Sequence, residues 1–191
     1  RGNKLKFDCL ALNLVHGPLF GQYFYDHDDT PVRVEEGDVV IDAGSCLGDT
    51  ATMFASVVGE KGFVYSFDML PLHMAITQHN IDQNGFTDRF QMVGYGVSNQ
   101  SQGQEVKPEL DDNKVVNPAL SLHAHKNLPT ITIDDFVRKN NVEKVDFIKM
   151  DIEGFELAAL HGANATIQKH RPKLAISIYH MSEDYISIPH Y

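Results

Sequence analysis

Asp151-Ile152-Glu153-Gly154-Phe155-Glu156 gathers three carboxylates within six residues, directly after the apolar run Val145-Asp146-Phe147-Ile148-Lys149-Met150. Carboxylates so close together repel one another, and the arrangement persists where protons, a cation or a substrate offset the repulsion. If the apolar run is a strand, its end presents several proton acceptors at one place. His180 follows a second extended run, Lys173 to Tyr179, and so stands at another strand end. Asp151, Glu153 and His180 are therefore the candidate catalytic residues, groups able to take a proton from an attacking hydroxyl. Glu156 competes for the role or bonds to nearby backbone, and His180 has the plainer reading of closing its strand. A divalent metal such as Mg²⁺ or Mn²⁺, held where Asp151, Glu153 and His180 converge, is the minor alternative; the expected site has no metal.

The second group able to do chemistry is the turn within Asp38-Val39-Val40-Ile41-Asp42-Ala43-Gly44-Ser45-Cys46-Leu47-Gly48-Asp49-Thr50. Val39, Val40 and Ile41 are β-branched or aliphatic without polar alternation, the pattern of a strand buried on both faces of a parallel sheet. Gly44 and Gly48 permit a sharp turn and an approach of ligand to backbone where a Cβ would clash. Asp49 or Thr50 is placed to cap a helix through Ala51, Met53, Phe54 and Val57, with its first amides aimed at the turn. The dinucleotide fingerprint needs a third glycine, and the P-loop needs Lys followed by Ser or Thr; both are missing. The spacing D-x-G-x-x-x-G is instead similar to the first motif of S-adenosylmethionine-dependent methyltransferases.

Other elements must bring these groups together. Phe63 to Phe67 reads as a second strand ending at Asp68, twenty residues beyond Gly48. A carboxylate there can accept both hydroxyls of a ribose, or cap the helix that begins near Pro71 and ends at Asn84-Gly85. Phe90 to Val93 is a third strand, running out to Gly96, whose small size would admit an adenine edge. Residues 99–129 lose periodicity and read as a substrate-side loop carrying Ser121, His123 and His125. Thr130 to Ile133 resumes extended structure, Asp134-Asp135 opens a short helix, two helical stretches flank Gly162, and the run from Lys173 is the fifth core strand. Alternating strands and helices of this kind make an α/β, doubly wound, three-layer sheet.

Val39 to Gly44, Tyr65-Ser66-Phe67-Asp68, Thr132 to Asp135, Lys149 to Glu156 and Arg171-Pro172 together resemble the FkbM family of S-adenosylmethionine-dependent methyltransferases, from about Tyr23 onward. The resemblance implies a Rossmann-like methyltransferase sheet and S-adenosylmethionine as cofactor, held by Asp42, Gly44, Ser45, Gly48, Asp49, Asp68, Met69 and Gly96. It implies O-methylation of a small-molecule or carbohydrate acceptor. Two positions depart from the family pattern: Asp68 stands where Glu is usual, and Cys46 where Asn is frequent. The family fold carries seven strands, and only five core strands are countable here, so the expectation is one domain over 1–191 without the last two strands. Within it, 1–36 is a lead-in, 37–98 the cofactor half, 99–129 the substrate-side segment and 130–191 the catalytic half. A binding module without catalysis and a nucleotide-dependent oxidoreductase are the rival readings.

Composition sets outer bounds. With 16 basic against 26 acidic residues the net charge is −10, which disfavours nucleic acid as a partner, since phosphate contacts require Lys and Arg. Residues of the hydrophobic class make up 42%, enough for a core, and no run is long enough to span a membrane. Cys9 and Cys46 are too few for a disulfide framework, so a cytoplasmic location is expected. Cys46 reads as a small packed residue of the turn rather than a reactive thiol. Oligomeric state is not encoded in any pattern seen.

Overall fold

The computed structural model describes residues 4–26, 30–108 and 128–191. Five parallel strands form the central sheet: β1 (Val39–Ala43), β2 (Phe63–Phe67), β3 (Phe90–Val93), β6 (Phe147–Met150) and β7 (Lys173–Ile176), in the order β3-β2-β1-β6-β7. A short separate pair, β4 (Gly96–Val97) and β5 (Thr130–Ile131), is also parallel. The helices are α1 (Ala11–Leu14), α2 (Asp49–Val58), α3 (Pro71–Gln83), α4 (Ile133–Lys139), α5 (Glu156–His161), α6 (Asn164–His170) and α7 (Asp184–His190). A π-helical turn, Val15–Leu19, continues α1 and contains Pro18.

The three layers follow from which way successive strand residues face. Val40, Val64 and Phe147 point to one side and pack with Ala51, Phe54, Val58 and Ile81 from α2 and α3. Ile41, Ala43, Phe67, Ile148 and Met150 point to the other, against Ile133 and Phe136 of α4 and Ala159 and Leu160 of α5. Strands buried on both faces need no polar alternation, which is why the sequence reads there as continuous apolar runs. Burying a side chain such as Phe54 or Ile41 contributes roughly 1.5–3 kcal/mol each.

The order in which strands are added reverses between β1 and β6, all five staying parallel: from β1 the sheet grows one way through β2 and β3, and the other way through β6 and β7. The carboxyl ends of β1 and β6 therefore border a crevice, the usual ligand position in an open parallel sheet. Both chemistry-bearing stretches, the turn after Ala43 and the acidic group after Met150, leave the sheet there.

Helix boundaries have local causes. The Thr132 side chain accepts from Asp135 N at 2.9 Å and caps α4. Asp134 reaches across to the start of α6, accepting from Thr166 N at 2.8 Å and Ala165 N at 3.0 Å. Pro71 opens α3, and Gly85, at φ +73°, follows its end. Neither Asp49 nor Thr50 caps α2: Gly48, in the left-handed region at φ +78°, is the N-cap, and its side-chain bond is lacking. The Thr50 hydroxyl turns back to Asp42 instead. Ser121, His123 and His125 lie outside the described residues.

Candidate active site

Asp42 is fully buried at the end of β1. Across the sheet its register partners are Ser66 on β2 and Lys149 on β6, so the three side chains form one polar row through an apolar sheet. Ser66 Oγ donates to Asp42 Oδ2 at 3.0 Å, and Lys149 Nζ lies 3.2 Å from Oδ1. The carboxylate thus holds the turn from beneath rather than facing the crevice. Lys149, 2% exposed, also donates to Gly44 O at 2.5 Å and Ala43 O at 3.3 Å. Although burial alone favours its neutral form, the carboxylates of Asp42, Asp151 and Asp49 carry Nζ above the ordinary lysine value.

Both turn glycines are required by the protein's own packing. Gly44 has φ +87°, and a Cβ there would collide with the carbonyl oxygen of Asp151. A Cβ at Gly48 would come within 2.7 Å of Thr77 Cα on α3. Phe67 O accepts from Gly44 N at 3.0 Å and Ser45 N at 3.1 Å, tying the turn to the end of β2. Cys46, at φ +48°, is exposed rather than packed. Desolvation first, and then the Asp68 carboxylate, push its thiol up to about 11, so it is no ready thiolate.

Asp68 stands beside this turn with both oxygens engaged. Oδ1 accepts from Leu70 N at 2.9 Å; Oδ2 accepts from Cys46 N at 3.1 Å and lies 3.2 Å from His73 Nδ1. It therefore braces the turn and the entry to α3 together, while a carboxylate's remaining lone pairs leave capacity for hydroxyls. Met69 packs onto Gly96: a Cβ at Gly96 would meet its Sδ at 2.9 Å, so the space expected to receive an adenine edge holds the Met69 side chain. Asp49, in the first turn of α2, is buried, and desolvation pushes its carboxyl up to about 6. It accepts from Asn13 Nδ2 at 3.3 Å, which brings the amino-terminal segment over the turn.

Across the crevice, Asp151 is the hub. Its Oδ2 accepts from the Tyr23 hydroxyl at 2.5 Å, the Tyr179 hydroxyl lies 3.2 Å from both oxygens, and His180 Nε2 is 3.3 Å from Oδ1. Glu156 is completely buried and accepts from Ile152 N at 2.8 Å and Gly154 N at 2.9 Å. This is the backbone-bonding reading of Glu156: it fixes the turn that carries Asp151 and Glu153. His180 Nδ1 approaches Glu156 Oε1 at 2.9 Å, off the direction a hydrogen bond requires, so Nδ1 has no hydrogen-bond partner among the described residues. Glu153 sits at φ +59° with its side chain 63% exposed and 3.6 Å from His180 Nε2. Among the described residues the donors placed for a cation are Asp151, Glu156 and His180, each with a ligand atom within 4.8 Å of the others. Glu156 thus takes the position expected of Glu153.

Three participants are not among the candidates that the sequence patterns supply. Lys149 had one signal, a charge inside the run Phe147 to Met150. Tyr179 had its place one residue before His180. Tyr23, whose hydroxyl desolvation and the Asp151 charge hold in its protonated form, had none.

The residues fit an adenosyl sulfonium cofactor in one specific respect beyond the turn's shape. Ser45 Oγ, in a residue only 1% exposed, has no hydrogen-bond partner among the described residues, an unmet polar atom within the glycine turn. Known proteins are similar in the same region. The family model for the methyltransferase FkbM domain matches residues 42–187. Methyltransferase FkbM from Methylobacillus flagellatus KT, a crystal structure, is 26% identical with a TM-score of 0.63, over 83% of this chain and 37% of that one. More distant are a putative rRNA-methylase from Clostridium thermocellum (19% identity, 86% and 65% coverage, TM-score 0.43) and an O-methyltransferase from Bacillus cereus in complex with SAH (14%, 83% and 53%, 0.44). A search of curated proteins finds no match. This chain spans 37% of the length of the Methylobacillus protein. With its family model matched from Asp42 through the acidic turn to α7, the chain belongs to the FkbM family of methyltransferases, whose cofactor is S-adenosylmethionine.

Proposed function

We propose that this chain transfers the methyl group of S-adenosylmethionine to a hydroxyl of a small molecule or sugar. The observation that carries the reading is Asp151, a part-exposed carboxylate at the sheet's switch point with His180 Nε2 3.3 Å away and two phenol hydroxyls bonded to it. The cofactor supplies an electrophilic methyl bound to sulfur. What remains for the protein is to align the acceptor oxygen and remove its proton as the C–O bond forms and the C–S bond breaks. Alignment contributes several kcal/mol, and a positioned base about 10²–10⁴ in rate. Asp151 accepts that proton, with His180 beside it to pass it on and the exposed Glu153 at the rim.

Ser45, Gly44, Gly48, Asp49, Asp68 and Met69 are the cofactor side of the crevice in this reading, with Asp42 supporting them. A negatively charged chain favours a small acceptor over a polyanion.

Radiolabelled S-adenosylmethionine, offered with separate panels of hydroxyl compounds, amines and RNA, tests the assignment. Label should appear on hydroxyl acceptors; label confined to amines or RNA would refute it. Asp151→Asn should lower turnover at least about 100-fold and leave the calorimetric Kd for S-adenosylhomocysteine within about threefold.

A further inference from the structure

Lys149 is a buried charge with three close partners, and no step of methyl transfer uses it. Its neighbours in β6, Ile148 and Met150, are fully buried, as is Asp42 opposite. Burying an ammonium is costly, and an apolar residue of similar length would often be no worse for stability. The three ammonium donors go to Asp42 Oδ1, Ala43 O and Gly44 O. Two of these are therefore the main-chain carbonyls that lead into the cofactor turn. On its other side Nζ lies 5.1 Å from the centre of the Tyr23 ring, and the Tyr23 hydroxyl bonds to Asp151.

We propose that Lys149 is a positioning residue for the cofactor turn, setting the Ala43 and Gly44 peptides in the conformation that binds the cofactor and linking that turn, through Tyr23, to Asp151. Charge neutralisation of Asp42 alone would ask only for the first of its contacts. The carbonyl contacts come from the strand beside β1, so the turn takes its shape from β6, the strand that also delivers Asp151. Cofactor half and catalytic half share one ammonium.

The test separates positioning from neutralisation with S-adenosylhomocysteine as probe, and it rests on cofactor use by this chain. In the double variant Asp42→Asn/Lys149→Met both members of the ion pair become neutral together, so folding should persist, read by circular dichroism and Tm. Its Kd for S-adenosylhomocysteine should nevertheless rise at least about tenfold, the scale of two lost charge-assisted hydrogen bonds. A folded double variant with native Kd would overturn the proposal. Independently of any variant, ¹⁵N-labelled lysine side chains give a slowly exchanging signal from a buried ammonium, and saturating S-adenosylhomocysteine should move it. A signal that stays in place at saturation would also overturn the proposal. Failure of the native protein to bind the probe would overturn both this role and the cofactor reading, whereas native binding with an unaffected double variant removes only the role of Lys149.

Discussion

Asp49 shows how one buried carboxyl ties pH to stability. Its pKa in the folded chain is pushed up to about 6 from the ordinary aspartate value, first by desolvation. In the unfolded chain it ionises near 4, so between about pH 4 and pH 6 the folded state binds more protons than the unfolded state. Stability from this group is therefore fully present below about pH 4 and is lost as pH rises through about 6, by roughly 2–3 kcal/mol. Asp49→Asn removes the ionisation, so its Tm relative to the native chain should rise between pH 4.5 and pH 7.5. Parallel melting curves for the two proteins across that range would exclude Asp49 as the source. At Asp151 the expectation concerns rate instead. Tyr23→Phe keeps the ring over Lys149 and removes the hydroxyl that donates to Oδ2. Losing that charge-assisted hydrogen bond loosens the placement of the carboxylate, so kcat should fall about tenfold, with S-adenosylhomocysteine affinity little changed.

At the scale of elements, the turn between β1 and α2 is defined by backbone collisions, and a comparison of two glycines lets that be measured. Gly37 and Gly44 have nearly the same φ, +86° and +87°, yet a Cβ at Gly37 meets nothing within 4 Å while one at Gly44 strikes the Asp151 carbonyl. Gly37→Ala should cost only the conformational strain, about 1–2 kcal/mol. Gly44→Ala should cost at least about 2 kcal/mol more, because β1 and β6 must separate; equal costs in urea unfolding would show that the strand ends can part freely. Elements of this kind were largely legible beforehand. Val40-Ile41 and Phe147-Ile148 are apolar because each residue is buried on one face or the other, with Val39 partly so, and Pro71, Asn84-Gly85 and Thr132 mark helix ends by their own backbone chemistry. What the sequence could not show was direction in space. Glycines that looked like an allowance for ligand accommodate Asp151 O and Thr77, Gly96 accommodates Met69, and Asp42 faces Lys149 rather than the crevice. A spacing reports that two residues are close along the chain; which atoms fill the gap depends on elements that are distant along it.

Across the whole molecule, the sheet order places every candidate group at one end of the strands, while the connections at the other end serve only to close the fold. Gly44 to Asp49, Asp68 to Leu70 and Asp151 to Gly154 follow β1, β2 and β6, and the fifth strand brings Tyr179 and His180 to the same side. The amino-terminal segment crosses this end: Asp8 N donates to Asn80 Oδ1 at 2.7 Å, while Asn80 Nδ2 donates to Asp8 O at 3.0 Å and Leu47 O at 2.8 Å. Asn80 is completely buried, so one side chain on α3 fastens both the segment and the cofactor turn. Asn80→Ala should destabilise by about 2–3 kcal/mol, leaving buried partners without bonds, and should speed amide exchange in residues 4–23 and 44–48 together. Ligand binding should act in the opposite sense on the same end of the molecule. Saturating S-adenosylhomocysteine should slow exchange at 44–49, 68–70 and 151–154, three segments far apart in sequence, and leave 59–62, 84–89 and 140–146 at the opposite end of the strands unchanged. Protection spread evenly over both ends would mean that the ligand stabilises the fold globally from some other place, and the crevice at the switch point would lose its claim as the binding site.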